Sequence, residues 1–300
     1  MQQPMEREMT WQNHGRGEVG RMVESPRTPF LRDMVMHPLE KDTPLRAGKR
    51  RPLPAGPETA VFCKARDYSA DTVIPLHHHP DRHQLVYAES GVLVVRAGMG
   101  RWVVPSTRAI WMPAGTGHQV HCIGLVQMRS LYISPAAMSQ PAAGPSAVSI
   151  TPLLAALIRA AVTVKQPYRE DSRDGRLMRL ILDEMQTLPV LPLHLPEPSD
   201  RRLRMIARQL ERRPEDASTL QDWAARLKVD VKTIQRLCAR ELGMTFGQWR
   251  QQARLLRALE RLAIGEKVID VALALGYESP SAFTTMFKRR FGLTPSQFFR

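Results

Sequence analysis

The spacing of hydrophobic residues changes along the chain and divides it into a β-rich part and a helical part. Between Ala60 and Ser134 short apolar runs alternate with turn residues. The runs are Ala60–Cys63, Gln84–Tyr87, Val92–Val95, Trp102–Val104, Ala109–Met112, Gln119–Cys122 and Met128–Ile133. Such spacing is typical of a β-sandwich or barrel. We therefore predict a β-domain over residues 58–135.

The middle of the chain predicts a pair of helices between two linkers. In Pro152–Val164 and Arg173–Gln186 the leucines recur at helical spacing, which predicts a helical hairpin over residues 151–187. The hairpin would serve either dimerisation or packing within one chain. Residues 136–150 are rich in Ala, Pro and Ser and predict a linker, and the prolines of residues 188–199 predict a stiff connector. Residues 1–57 lack periodicity, so we expect a disordered extension.

Residues 200–298 predict an all-α domain with two tandem helix-turn-helix patterns, Thr219–Leu242 and Val268–Phe291. One long helix, Phe246–Ile264, joins them and ends at Gly265. Ser218, Asp230 and Ser279 are the predicted N-caps. Tandem patterns joined in this way are expected of a surface that lies across DNA.

The second helix of each pattern has an apolar stripe that leaves polar side chains on its outer face. These outward residues are Lys232, Thr233, Gln235, Arg236 and Arg240 in the first, and Ser281, Thr284, Thr285, Lys288 and Arg289 in the second. Arg and Gln pair bidentately with purine edges, and Lys and Thr reach phosphates or bases. The ordinary alternative is a solvated helix face.

The charge of the chain supports the DNA-binding interpretation. The formal net charge is +14, and from Asp200 onward 20 Lys and Arg face 11 Asp and Glu. A basic domain attracts the phosphate backbone.

The composition is that of a folded protein, since an apolar content of 43% is ample for packed cores. No apolar run is long enough for a signal peptide or a membrane span, so we expect a cytoplasmic protein. The three cysteines predict no disulfide framework.

At its C-terminal end the chain resembles the AraC/XylS family of transcription regulators. The resemblance covers about 100 residues and is carried by "VALALGYESPSAFTTMFKRRFGLTPSQF", "LQDWAARLKV" and "TIQRLCARELGMTFGQW". It implies two helical subdomains whose recognition helices, Val231–Glu241 and Pro280–Arg290, enter successive major grooves. Val231 departs from the pattern, since relatives often carry proline there, but Asp230 still supplies a cap.

The N-terminal domain resembles a cupin barrel through "LHHHPDRHQLVYAESG" and "PAGTGH". The resemblance places His77 and His79 in the first motif, with Gln84 where enzyme-type cupins usually carry Glu, and His118 in the second. We expect an effector pocket lined by His77, His79, Gln84, Tyr87, Trp111 and His118. Three imidazoles are also ligands for a divalent metal. Gln84 supplies no carboxylate, so we expect no resident metal and no catalytic residue.

Together these patterns predict a multidomain protein, a cupin-like β-barrel followed by an all-α domain with tandem helix-turn-helix motifs. The expected function is that of a one-component transcription regulator, a homodimer that binds double-stranded DNA and a small-molecule effector and contacts RNA polymerase. The combination resembles a subgroup that often controls a neighbouring transporter gene. The alternatives are a metal-dependent cupin enzyme fused to a DNA-binding domain and an architectural nucleic-acid-binding protein.

Overall fold

Eight strands and nine α-helices make up the part of the chain that the structure, a computed structural model, describes: residues 59–98, 100–106, 108–138 and 142–299. The strands are β1 (Val61–Tyr68), β2 (Val73–His77), β3 (His83–Ala97), β4 (Gly100–Val104), β5 (Arg108–Met112), β6 (His118–Ile133), β7 (Ser146–Ser149) and β8 (His194–Pro196). The helices are α1 (Pro152–Ala161), α2 (Arg173–Met185), α3 (Arg201–Arg212), α4 (Leu220–Leu227), α5 (Val231–Leu242), α6 (Phe246–Ala263), α7 (Val268–Ala274), α8 (Pro280–Phe291) and α9 (Pro295–Phe298). The predicted extension 1–57 lies outside the described residues.

Two long strands organise the N-terminal sheet. Its order is β1-β6-β3-β4-β8, with β2 paired to β6 and β5 paired to both β3 and β7. Four of the seven predicted apolar runs are therefore parts of only two strands: Gln84–Tyr87 and Val92–Val95 both belong to β3, and Gln119–Cys122 and Met128–Ile133 both belong to β6. The β3–β6 register shifts between Ala88 and Val92, where Gly91 has a φ of 78° and lies against the backbone of Leu125. A side chain there would overlap that backbone, so this bulge requires glycine.

The two sides of the sheet are buried by different partners. Leu85 and Tyr87, which alternate along β3, belong to a core that includes Leu154 of α1 and Ile181 of α2. The intervening Val86 belongs instead to the larger core, which extends into the C-terminal helices. The predicted hairpin helices thus pack against one side of the sheet, with the expected ends shortened to Ala161 and Met185.

Both predicted linkers contain a strand, which corrects the linker assignments. In the 136–150 segment β7 pairs with β5, and in the 188–199 segment β8 pairs antiparallel with β4. The apolar side chains of Val148 and Leu195 are buried against the sheet, and this burial stabilises both strands. The two strands are too short to show an alternating pattern, and prolines flank them in the sequence. The strand β2 was also missed.

The C-terminal helices follow the predicted order, with one cap corrected. The N-cap of α4 is Thr219 rather than Ser218, because Thr219 and Asp222 exchange side-chain-to-backbone hydrogen bonds in a capping box. Asp230 and Ser279 cap α5 and α8 as predicted. Among the described residues no helix combines the length and apolarity that a membrane crossing requires.

Helix α6 packs against the sheet domain through a buried ion pair. A guanidinium nitrogen of Arg101 on β4 lies 3.2 Å from a carboxylate oxygen of Glu260, and the two side chains are only 10% and 7% exposed. Arg257 contacts the other Glu260 oxygen at 2.6 Å. The helix that joins the two helix-turn-helix units is therefore also the element that docks them on the sheet.

Candidate nucleic-acid interface and effector site

The outer face of α5 is polar and exposed, as predicted for a recognition helix. Ile234, Leu237 and Cys238 are buried beneath it. Of the predicted contact residues Lys232, Gln235, Arg236 and Arg240 are exposed and Thr233 is half-buried. Arg240 pairs with Glu241 at 3.3 Å, whereas Lys232 and Arg236 form no ion pair with any described residue.

The outer face of α8 has the same character. Phe283 and Phe287 are fully buried, whereas Ser281, Thr285, Lys288 and Arg289 are exposed and Thr284 is half-buried. Lys288 and Arg289 also make no ion pair within the described part of the chain. Pro280 at the start of α8 fixes the first helical turn. Apart from Arg240, the cationic side chains on the outer faces of α5 and α8 therefore have no counter-ion among the described residues.

Two arginines of α6, Arg250 and Arg254, bind backbone carbonyls within the protein. Arg250 donates to the carbonyl of Ser218 at 2.9 Å, and Arg254 donates to those of Pro214 and Asp216 at 2.7 and 3.0 Å. These bonds fix the loop before α4 on the joining helix. The sequence does not reveal these partners of Arg250 and Arg254, which lie 32 to 40 residues away.

Three of the predicted effector residues come together at one end of the sheet. His77 ends β2, His118 begins β6 directly opposite it, and His79 lies in the following turn. One potential ligand nitrogen from each imidazole lies within 4.8 Å of the others. His79 and His118 are buried and His77 is half-buried. The paired histidines of the sequence motif therefore form a compact group with His118.

Backbone hydrogen bonds fix the proton positions of two of these imidazoles. Nδ1 of His77 donates to the carbonyl of Pro75 at 2.8 Å, and Nδ1 of His118 donates to that of Thr116 at 3.0 Å. A carbonyl only accepts, so in the neutral rings each Nε2 keeps its lone pair. Nε2 of His118 is buried and has no hydrogen-bond partner among the described residues. Burial, reinforced by the neighbouring His77, lowers the pKa of His118 to about 4, so its ring is neutral at physiological pH.

Gln84 adjoins this group through Tyr132. The Gln84 amide donates to the Tyr132 hydroxyl at 3.2 Å, and the His79 ring meets the Tyr132 ring edge-on with a centroid distance of 5.1 Å. Among the described His, Cys, Asp and Glu residues, the group within ligand distance is His77, His79 and His118. Gln84 thus lies beside the histidines and supplies no charge to them.

Tyr87 and Trp111 do not join the histidines. Both belong to the core beneath α1 and α2, because they fall on the opposite strand alternation from Gln84. Trp111 packs on His83 with a centroid distance of 4.9 Å, and its indole donates to the Ala142 carbonyl at 3.1 Å. The residues predicted to line one pocket therefore lie on two sides of the sheet. Those that lie close together are His77, His79, His118 and the adjoining Gln84.

Comparison with known proteins agrees with both halves of the chain. Residues 58–230 match the AraC-like ligand binding domain, and residues 223–300 match a helix-turn-helix domain. The chain is 32% identical over 224 residues to the HTH-type transcriptional regulator NimR of Escherichia coli K12, covering 75% of this chain and 81% of that protein. It is 31% identical over 131 residues to RipA of Corynebacterium glutamicum, covering 44% and 38% of the two chains.

Among solved structures, ToxT of Vibrio cholerae aligns with 80% of this chain and 98% of its own, at 12% identity and a TM-score of 0.34. A score of this size establishes no shared overall arrangement. The sequence matches, by contrast, span the sheet domain and both helix-turn-helix units. The chain belongs to the AraC-type family of transcriptional regulators, with an N-terminal ligand-binding domain and a C-terminal helix-turn-helix domain.

Proposed function

We propose that this regulator recognises a specific duplex DNA sequence through the outer faces of α5 and α8 and responds to a small molecule bound beside His77, His79, His118 and Gln84. The observation that supports DNA contact most directly is the exposure of Lys232, Arg236, Lys288 and Arg289 without counter-ions among the described residues. A cation that is buried or already paired attracts DNA only weakly, whereas these four side chains are exposed and unpaired within the described part of the chain.

Within that surface we assign different tasks to different side chains. In this proposal Gln235 and Arg236 read base edges in the major groove, and Thr284 and Thr285 take the corresponding role on α8. The cations at the ends of the two faces position the protein on phosphates. The full proposed set remains Lys232, Thr233, Gln235, Arg236, Arg240, Ser281, Thr284, Thr285, Lys288 and Arg289.

Replacing Arg236 with alanine is the test of base reading. We expect the specific duplex to lose about 1–3 kcal/mol of binding free energy and the preference at one base position to relax. The measurement is a fluorescence anisotropy titration against the best duplex and its single-base variants. Arg179→Ala, in an exposed arginine of α2, is the matched control and should change nothing. An equal loss on random DNA would reduce Arg236 to a phosphate contact.

The hydrogen bonds of the histidines favour a metal ion as a second candidate for the ligand that they bind. Nδ1 of His77 and of His118 is held by a backbone carbonyl, the outer-shell arrangement that orients metal-bound histidines. The donor set fits a borderline divalent cation such as Zn²⁺. The three imidazoles would hold it, and the ion would supply positive charge and Lewis acidity for an electron-rich effector.

Zinc binding separates the two candidates. If a metal is bound, calorimetric titration of metal-stripped protein with Zn²⁺ should give about one equivalent in the wild type. His118→Ala should lose at least tenfold in affinity. His78→Ala removes a half-buried neighbour outside the cluster and should leave binding unchanged. Equal Zn²⁺ affinity in all three proteins, or none in the wild type, would leave an organic effector as the ligand.

We further propose that the protein is a homodimer. The exposed Leu153 and Leu180 on the outer side of the α1–α2 pair suit a homodimer contact, and sedimentation of the leucine-to-serine variants tests it. We also propose that the protein works in the cytoplasm beside RNA polymerase and controls a neighbouring transporter gene. The relatives are named as regulators, which favours regulation over the cupin-enzyme alternative.

A further inference from the structure

One buried glutamine connects the strand that precedes the DNA-binding domain with that domain's second recognition helix. Gln252 lies in the middle of α6 and is 8% exposed. Its amide nitrogen donates to the carbonyls of Pro192 at 2.5 Å and His194 at 3.2 Å. Both acceptors belong to the segment that forms β8 and leads into α3.

The other end of the same amide contacts α8. The Gln252 carbonyl oxygen accepts a hydrogen bond from a guanidinium nitrogen of Arg290 at 3.2 Å. Arg290 immediately follows Lys288 and Arg289, the proposed phosphate contacts. All three contacts of this amide therefore bridge segments 38 to 60 residues apart in sequence.

The β8 end of this connection is fixed to the sheet domain. His194 stacks on Trp102 of β4 with a centroid distance of 4.4 Å, and its ring occupies the space where a Cβ on Gly100 would lie. Leu195, paired with Arg101, is buried. Because the ring fits only over a glycine and against one indole, a displacement of β4 carries the carbonyl of His194 with it.

The chemistry of a buried amide makes the connection sensitive to such a displacement. A buried donor or acceptor that loses its partner destabilises the fold, since no water replaces the lost bond. Gln252 satisfies its donors on Pro192 and on His194 of β8, and its acceptor on α8, with one rigid planar group. If β8 shifts, the amide must either follow it and disturb Arg290 or leave the His194 and Pro192 carbonyls unpaired.

We propose that Gln252 is a positioning residue that couples the edge strand β8 of the ligand-binding domain to recognition helix α8. This inference rests on the proposed function for its biological meaning, because α8 must be a DNA-contacting helix for the coupling to matter. By thermodynamic linkage the coupling runs in both directions. DNA binding at α8 therefore changes the stability of β8, and ligand-driven changes in the sheet alter the hold of α8 on DNA.

Amide hydrogen exchange of the full chain tests the coupling. The duplex is one selected by the wild-type protein from randomised DNA. In the wild type, saturation with this duplex should change exchange about three- to tenfold in the peptide spanning residues 191–197, which lies outside the proposed contact surface. In Gln252→Ala the change in that peptide should disappear, while protection of α5 by the same duplex persists.

Gln251→Ala is the matched control, because the same residue type next along α6 is exposed. It should retain the wild-type response. Arg290→Met removes only the α8 side of the connection and should also abolish the response, so a folding defect peculiar to Gln252→Ala cannot produce the expected pattern alone. No response in a wild type that binds its duplex, or an undiminished response in Gln252→Ala and Arg290→Met, would overturn the proposal.

The free protein distinguishes failure of the coupling from failure of the proposed function. If selection yields no preferred duplex, sequence-specific binding is wrong, but the connection itself still predicts a result. Gln252→Ala should then speed exchange about three- to tenfold in both the 191–197 and the 280–291 peptides. Faster exchange confined to α6 would contradict the coupling whatever the protein does with DNA.

Discussion

Glu260→Gln is expected to lower the free energy of unfolding by about 3–5 kcal/mol, the usual cost of breaking a buried ion pair. The substitution keeps the shape of the side chain but leaves Arg101 buried without its counter-charge. Arg101 is 10% exposed, and its Nε already has no hydrogen-bond partner among the described residues. Urea unfolding of the full chain, followed by tryptophan fluorescence, measures the loss.

The matched control is an exposed pair. Arg179 and Glu170 lie 3.5 Å apart with side chains 65% and 61% exposed, so Glu170→Gln should have no measurable effect. Replacing both Arg101 and Glu260 with methionine should recover most of the stability lost in Glu260→Gln, because two apolar side chains of similar length need no charge partner. A double variant no more stable than Glu260→Gln would mean that packing, rather than the unpaired charge, dominates this interface.

Phe287→Ala should cost about 3–5 kcal/mol of stability and release α8. Phe287 is fully buried, and its ring lies 4.7 Å from that of Phe291 and 5.4 Å from that of Phe298, measured between centroids. Truncation removes the ring that fixes α8 on α9. Footprinting of the variant should show the α8 half of the site lost while the α5 half persists.

Leu293→Ala provides the comparison within the same region. Leu293 is 39% exposed, so its truncation should cost far less than that of Phe287. A uniform weakening of both halves of the footprint in Phe287→Ala would show that the two helix-turn-helix units fold as one cooperative body. In that case the second unit could not be released alone.

The C-terminal domain was predictable because its signals are local. Asp230 and Ser279 cap helices within a few residues of themselves, and the apolar stripes of α5 and α8 follow the helical period. The missed cap at Thr219 differs from the predicted Ser218 by one residue. Caps, periods and turns of this kind need no information from the rest of the chain.

The sheet domain was less predictable because its short strands depend on distant partners. β7 and β8 form where buried apolar side chains meet β5 and β4, and their proline-rich surroundings predict linkers instead. Strand alternation alone separates Gln84 from Tyr87, which lie three residues apart and so face opposite sides. The pairing of β3 with β5 is regular from Gln84 to Ala88, so alternation excludes Tyr87 from the side that holds Gln84.

Gln252 shows the limit of local reasoning in one residue. It follows an identical residue, Gln251, in a helix with a regular apolar stripe, and no nearby residue marks it as different. Its buried contacts come from β8 and α8, both remote in sequence. Only the packing of α6 against the sheet identifies which of the two glutamines is inside.

A competition titration tests whether this chain recognises a specific DNA sequence. Purified full-length protein is titrated into labelled duplex from the region flanking its own gene at near-physiological salt, with scrambled duplex as competitor. We expect saturable binding at least about a thousandfold tighter than binding to the scrambled duplex, as for specific regulators. Equal affinity for the two duplexes, with only a steep dependence on salt, would show that the protein binds DNA without reading its sequence.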